Sequence, residues 1–329
     1  IRDSYNTGVG NGALYNNTTG VANSGFGYSS LYNNTIGYQN TAVGYGTLYS
    51  NTTGNNNSAI GYYSLFNNTT GSQNLAIGYQ ALYYSVTASG NVAVGNQALY
   101  SNTTGNSNLA VGYLAMYSNT TSAASDVYKR QLYNNTTGIG NSAMGVYALW
   151  NNTTGRENVS IGWASLYGNP TGSYNTAIGV YAASYGGFGP DPGNDIIYAS
   201  YTTAVGYKAI GNRRDYGNSN TVVGAFSGYN FGGVWNDYYN IPDVALENTA
   251  IGAYSMYGGT GVISIGKYNT AVGSYSLYRN TLANGNTAIG SYSLYTNTIG
   301  GGNTGLGGSS LYSNTTGGVN TGLGSASLY

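Results

Sequence analysis

Two short β-compatible runs, one closing on a glycine and the other on an aromatic ring, alternate with polar turn-forming residues through nearly the whole chain. In one copy, Asn40-Thr41-Ala42-Val43-Gly44-Tyr45-Gly46-Thr47-Leu48-Tyr49-Ser50-Asn51-Thr52-Thr53-Gly54, the runs are Thr-Ala-Val-Gly-Tyr and Thr-Leu-Tyr. Such runs favour strands, their Asn, Gly and Thr flanks favour turns, and no segment has room for a helix of useful length. The glycine that closes the first run falls at Gly10, Gly27, Gly44, Gly61, Gly78, Gly95 and Gly112, 17 residues apart each time. It returns at Gly145, Gly162 and Gly179, loosens through Gly206, Gly224, Gly252 and Gly273, and is regular again at Gly290, Gly307 and Gly324.

A repeat this short overrides the expectation of two or three globular domains for 329 residues and predicts one elongated solenoid. The fold class is all-β, a parallel β-solenoid of the β-helix or β-roll kind, with about 18 stacked 17-residue coils and a length of roughly 85 Å at about 4.8 Å per coil. The domain is continuous: regular coils over 1–181, coils with surface loop insertions over 182–266, and regular coils over 267–329. Side-chain alternation along a strand assigns Val43 and Leu48 to the interior. Stacking then repeats them as one ladder of Ile60, Ile77, Val94 and Val111 and a second of Leu65, Leu82 and Leu99. Two large aliphatics contribute roughly 3–6 kcal/mol per coil, while ordering each backbone residue costs about 1–2 kcal/mol. One coil cannot stand alone, so stability must come from coil-to-coil hydrogen bonds and ladders.

Three further columns follow from the period. Asparagine stands four residues before the signature glycine in sixteen of seventeen copies, Thr202 being the exception, which predicts a ladder through Asn23, Asn40, Asn57, Asn74, Asn91, Asn108, Asn141, Asn158 and Asn175. Stacked amides can hydrogen-bond from coil to coil and hold a turn. An aromatic ring stands five residues after the glycine at Tyr15, Tyr32, Tyr49, Phe66, Tyr83, Tyr100, Tyr117, Trp150, Tyr167, Tyr278, Tyr295 and Tyr312. With Leu inward these rings line the outside as a contact surface, unless they merely cover the solenoid's own turns. The Asn-Thr-Thr-Gly corner creates sequons, and Asn17, Asn51, Asn68, Asn102, Asn119, Asn135, Asn152 and Asn314 are the candidate N-glycosylation sites.

Composition then removes whole classes of function. Charged residues make up 5% of the chain, nine basic against nine acidic, which leaves no field to attract nucleic acid or an anionic membrane. Cysteine and histidine are absent, and with them disulfides, thiol nucleophiles, most zinc and copper sites and the commonest general base. The isolated acids carry no spacing that pairs them, so the expectation is a protein that is not an enzyme and holds no cofactor. No run approaches the roughly 20 apolar residues of a membrane-spanning helix.

The register breaks in two places. Between Gly112 and Gly145, 33 residues replace two periods, and Ser122-Ala123-Ala124-Ser125-Asp126-Val127-Tyr128-Lys129-Arg130-Gln131 shares nothing with the repeat. That decapeptide resembles translated adapter sequence found in assembled sequencing reads, which would make it an artefact in an environmental or transcriptome sequence; the alternative is a charged variant coil. Between Gly179 and Gly273 the spacings are 27, 18, 28 and 21. These insertions hold Phe188–Asp195, Phe231–Tyr239 and six of the nine acidic residues, Asp191, Asp195, Asp215, Asp237, Asp243 and Glu247. Insertions on a solenoid read as surface loops, and a calcium site at Asp191 and Asp195 lacks the ligand count of a known loop.

Asn-Thr-Ala-Ile-Gly, at Asn175–Gly179 and Asn286–Gly290, resembles the head repeats of YadA-like trimeric autotransporter adhesins and is similar to repeats near tail-fibre-type domains. The resemblance implies a left-handed parallel β-roll that trimerises and binds surfaces outside the cell; the 17-residue period is longer than that family's usual coil. Ile1 starts inside a coil and Tyr329 stops at the aromatic position without a polar cap, so the expectation is a piece of a longer array or chains stacked end to end. The functional expectation is therefore an extracellular or cell-surface structural fibre that assembles with itself end to end or laterally and carries covalent glycans. The alternative is an adhesin head or a surface-binding module. For ice, the lattice-matching ladder would be Thr41 with Thr7, Thr176, Thr249, Thr270, Thr287 and Thr304, interrupted by Ser24, Ser58, Leu75, Val92 and Leu109. For carbohydrate, Tyr and Trp would make the contacts.

Overall fold

A computed structural model of the chain describes residues 5–121, 125–127, 131–184, 199–211, 218–230, 234–236, 241–243, 245–258 and 266–329. It is an all-β parallel β-solenoid in two compact units, Ile1–Glu157 and Asn158–Tyr329. The first unit contains β1 (Thr7–Val9), β2 (Ser24–Phe26), β3 (Thr41–Val43), β4 (Ser58–Ile60), β5 (Leu75–Ile77), β6 (Val92–Val94), β7 (Leu109–Val111), β8 (Ser125–Val127) and β9 (Ser142–Met144). Consecutive strands pair in parallel, with Thr41 opposite Ser58, Ala42 opposite Ala59 and Val43 opposite Ile60. The decapeptide that departs from the repeat supplies β8, which takes its place in the ladder with Ser125 opposite both Leu109 and Ser142.

Each coil has one three-residue strand, and its inward residue is alanine. Ala42, Ala59, Ala76, Ala93 and Ala110 are fully buried, whereas Val43 and Ile60 are exposed and Ile77, Val94 and Val111 are half-buried. The alternation rule holds, but the phase is the reverse of the one that hydrophobicity suggests. The reason is room: the interior behind the strand is narrow. A methyl group at Gly25 would sit 3.0 Å from Ser30 Oγ, and one at Gly322 would sit 2.6 Å from Ser310 Oγ. The interior therefore holds mostly glycine or alanine at this place, with Ser160 and Val222 as buried exceptions, and the larger β-branched residues that favour the strand conformation mostly stand outside.

The expected second strand around leucine is absent, although its backbone bonds to the neighbouring coils. Leu48 N donates to Ser64 O at 3.1 Å, Ser50 N to Phe66 O at 3.0 Å, and Gly46 N to Tyr28 O at 2.9 Å. What prevents a strand is the left-handed backbone of the leucine, φ 52° at Leu48 and 50° at Leu65, a conformation that costs about 1–3 kcal/mol in a residue with a side chain. The twist also suspends alternation, so Thr47 and Leu48 are both fully buried. Among the described residues, Leu31, Leu48, Leu65, Leu82, Leu99, Met116, Leu132 and Leu149 form the one column of large apolar side chains inside this unit, each worth about 1.5–3 kcal/mol. The signature glycine before each such segment is obligatory: Gly44 has φ 134°, and a methyl on it would lie 2.5 Å from the carbonyl oxygen of Gly61.

The second unit repeats the plan with β10 (Val159–Ile161), β11 (Thr176–Ile178), β12 (Thr203–Val205), β13 (Thr221–Val223), β14 (Val234–Asn236), β15 (Ile241–Asp243), β16 (Thr249–Ile251), β17 (Thr270–Val272), β18 (Thr287–Ile289), β19 (Thr304–Leu306) and β20 (Thr321–Leu323). Insertions leave the ladder unshifted: Thr176 pairs with Thr203, Thr203 with Thr221 and Thr221 with Thr249. Within one insertion β14 and β15 make an antiparallel hairpin, Trp235 opposite Pro242. Residues 188–195, with the calcium candidates Asp191 and Asp195, lie outside the described residues, as do Asp215 and Asp237.

The orientation of the strand is testable by a pair of substitutions in one coil. Ala59→Leu overfills the interior and should cost about 1–3 kcal/mol, while Ile60→Ala on the outer face should change stability by about 0.5 kcal/mol or less. Urea melts followed by circular dichroism check this; a larger loss from Ile60→Ala would put the isoleucine back inside.

Candidate functional site

The polar interior is built from two columns of asparagine and one of glycine. In the first column, Asn40 Oδ1 accepts from the backbone N–H of Asn57 at 3.0 Å and from its Nδ2 at 3.2 Å. The same pair of bonds links Asn23 to Asn40, Asn57 to Asn74, Asn74 to Asn91, Asn91 to Asn108 and, in the second unit, Asn158 to Asn175. Asn141 is buried and donates to Gly155 O at 2.7 Å.

The second column is the one that carries the sequons. Asn51 Nδ2 donates to Asn34 Oδ1 at 2.7 Å and Asn68 Nδ2 to Asn51 Oδ1 at 2.8 Å. The same contact links Asn17 to Asn34, Asn102 to Asn119, Asn119 to Asn135, Asn135 to Asn152 and, in the second unit, Asn297 to Asn314. The columns meet at a glycine: Gly54 O accepts from Asn40 Nδ2 at 2.8 Å and from Asn51 Nδ2 at 3.0 Å, and Gly71 O likewise from Asn57 and Asn68. Both lone pairs of a buried carbonyl and both protons of each amide are thereby used. A methyl on Gly54 would overlap Asn51 Oδ1 and the carbonyl oxygen of Gly71.

This geometry corrects the glycosylation sites expected from sequence. Asn51, Asn68, Asn102, Asn119, Asn135 and Asn152 are fully buried, and Asn17 and Asn314 are half-buried in the same column. A sugar on any of the buried nitrogens would replace a proton that holds the next coil. The residue between Asn51 and its sequon hydroxyl on Thr53 is engaged too, Thr52 Oγ1 donating to Thr69 O at 3.0 Å. Of the other sequon asparagines, Asn16 and Asn56 are exposed, Asn33, Asn67, Asn134 and Asn151 are half-buried outside the column, and Asn158 is fully buried.

The second column is interrupted once in the first unit, at Ser85. There Asn68 Oδ1 and Ser85 Oγ are both buried without a partner, and alanine, Ala88, replaces the corner glycine. The two changes belong together, because a shorter side chain leaves space for the methyl. Asparagine and alanine coexist at Asn280 and Ala283, where the bonds measure 3.2 Å and 3.4 Å.

The aromatic column is half-buried and stacked on itself. Tyr15, Tyr32, Tyr49, Phe66, Tyr83, Tyr100, Tyr117, Tyr133 and Trp150 run ring on ring with centroids 4.3 to 5.5 Å apart. Tyr133 joins although its coil lacks the signature glycine that reveals the others. In the second unit Tyr229, Tyr257, Tyr278, Tyr295, Tyr312 and Tyr329 stack at 5.0 to 5.3 Å, and Tyr167 is half-buried. Because each ring face is covered by the next ring, the column offers edges and hydroxyls to solvent. Burial pushes the phenols of Tyr83, Tyr117, Tyr257 and Tyr278 up, and that of Tyr100 to about 12 with help from the Tyr84 hydroxyl. Tyr63 is pushed up to about 12, first by its hydrogen bond with Tyr62 and then by burial.

The outer face of the strands presents different chemistry. In the first unit Thr41, Val43 and Tyr45 point outward together, and their columns continue in the neighbouring coils; Tyr28, Tyr45, Tyr62 and Tyr79 stack at 5.0 to 5.7 Å. In the second unit the first outer column is threonine from Thr176 to Thr321, beside Ile178, Val205, Val223, Ile251, Val272 and Ile289. Among the described residues no three His, Cys, Asp or Glu side chains group as metal ligands, and no helix is long and apolar enough to cross a membrane. No protein-family model matches the chain, and no curated protein matches it.

The break at Ser85 generates a test of the ladder. Ser85→Asn with Ala88→Gly should complete the column and stabilise the chain by about 1–3 kcal/mol, and Ser85→Asn alone should gain less because the Ala88 methyl crowds the new amide. Denaturation of the two variants against wild type measures the coupling; equal effects with and without Ala88→Gly would contradict the shared carbonyl geometry.

Proposed function

We propose that the chain is a non-enzymatic structural protein, a repeat-built segment of an extracellular fibre that assembles with copies of itself. One observation carries the reading: the polar side chains inside each coil are engaged in bonding the next coil, so the interior serves cohesion. The columns of asparagine, glycine and leucine recur with the same geometry in coil after coil, and such one-dimensional cohesion suits a stiff element loaded along its length. The near absence of charge and the Asn-Thr-Ala-Ile-Gly likeness to adhesin heads support a place outside the cell. A glycan coat, on this geometry, is confined to the exposed Asn16 and Asn56 and the half-buried Asn33, Asn67, Asn134 and Asn151.

A surface-binding reading rests on a separate observation, the outward threonine column of the second unit beside its aliphatic column. Ice fits it better than sugar, because pyranose stacking needs free ring faces and the stacked columns cover theirs. Cryo-electron microscopy of native material tests the primary reading: the expected result is filaments with a layer line at about 4.8 Å along the axis, and isolated particles without filaments would overturn it.

A further inference from the structure

We infer that the outer strand face of the first unit is the lateral docking surface for a second copy of this chain. The inference rests on the structural reading above and names the surface through which copies associate side by side. Thr41 and Val43 are two residues apart in β3, so they share a face, and in-register pairing extends each into a column; Tyr45, which follows Gly44, is exposed as well and stacks with Tyr28 and Tyr62. These columns are apolar and open: Phe26 is 40% exposed, Val43 37%, Ile60 43%, Tyr28 51% and Tyr62 44%. From β5 to β7 the threonine column itself turns aliphatic, with Leu75, Val92 and Leu109 beside Ile77, Val94 and Val111.

Three properties of the face select a second copy as the occupant. None of its outer positions in β1–β7 and β9 carries a charge, so it has no electrostatic means of choosing a different partner and no desolvated ion to penalise an identical one. Its ridges repeat once per coil at about 4.8 Å, and only a surface with that same repeat can interdigitate over many coils; another copy presents it. Its size is also right: eight coils by a width of about 15–20 Å give roughly 600–800 Å² per partner, against about 800 Å² in a standard interface. Two such faces stack as sheets do, about 10 Å apart, in a two-fold arrangement where each face is its own complement. The second unit has small residues such as Ala225, Ala253 and Ser274 where the first has Tyr45 and Tyr62.

The test uses the full chain in sedimentation over a wide range of concentration. Val43→Lys, Ile60→Lys and Ile77→Lys together place charges on the face; Thr70→Lys, Thr104→Lys and Thr154→Lys place the same number on exposed corner positions. Val43→Thr, Ile60→Thr and Ile77→Thr provide a milder triple variant that keeps β-branching, and circular dichroism verifies the fold of each. Side-by-side association of wild type, unchanged in the corner variant and weakened about tenfold or more in both face variants, is the expected result. A wild type that stays single at every concentration, or face variants that associate as the corner variant does, would overturn the proposal. A single wild type that facets growing ice crystals would assign the outer surface to ordered water instead. Single unpaired filaments would overturn the docking surface while leaving the structural reading standing.

Discussion

The structure depends on a buried glycine carbonyl that accepts two asparagine amides at once. Gly54 O, with Asn40 Nδ2 and Asn51 Nδ2 on it, closes each coil across its interior, and the other ends of the same amides reach the coils on either side. A polar core of this kind is stable only when every group is satisfied, because an unpaired buried amide costs about 1–3 kcal/mol. Satisfaction requires neighbours in strict register. The uniform period, the recurrence of asparagine at Asn40 equivalents and of glycine or alanine at Gly54 equivalents, and the growth of insertions outside the ladder all follow from that one requirement.

The narrowness of the interior follows as well. Room for amides and one leucine leaves space for little more than a methyl behind the strand, which is why alanine and glycine face inward and valine and isoleucine outward. Leu48 reaches the core only by adopting a left-handed backbone, and the coil bears that strain seventeen residues apart, again and again, because the buried side chain and the coil-to-coil bonds of Leu48 and Ser50 offset it. With one large apolar side chain per coil, apolar burial contributes less than in a coil with two, and the polar ladders carry correspondingly more.

The period, the parallel solenoid, the inward leucine and the position of the first asparagine column were legible in the sequence because each depends only on recurrence. The phase of the strand was not, because Val43 is the more hydrophobic residue and Ala42 the more constrained one. Across the internal copies the alanine place holds Gly, Ala, Ser160, Val222 and, in the out-of-pattern decapeptide, Asp126, while the valine place ranges over Val, Phe, Ile, Met and Leu; variation in size among apolar residues marks the outside. The second asparagine column was hidden by its own motif. Asn51-Thr52-Thr53 reads as a sequon, yet the glycine three residues after every such asparagine except Asn119 was the signal of a shared turn. The covered faces of the tyrosines could not be read from sequence at all, since spacing places rings in a column without orienting them.

The surfaces divide labour accordingly: covered rings on one side, open aliphatic and hydroxyl columns on the strand side, and bonded amides within. The claim on which all of this rests is that the sequon asparagines are structural. Hydrogen exchange of side-chain amides, read by nuclear magnetic resonance on asparagine-labelled protein, tests it most directly. The Nδ2 protons of Asn51, Asn68 and Asn57 should be protected to the same degree as the backbone amides of β3 and β4. Exchange at the rate of free asparagine, with those strands still protected, would contradict the account.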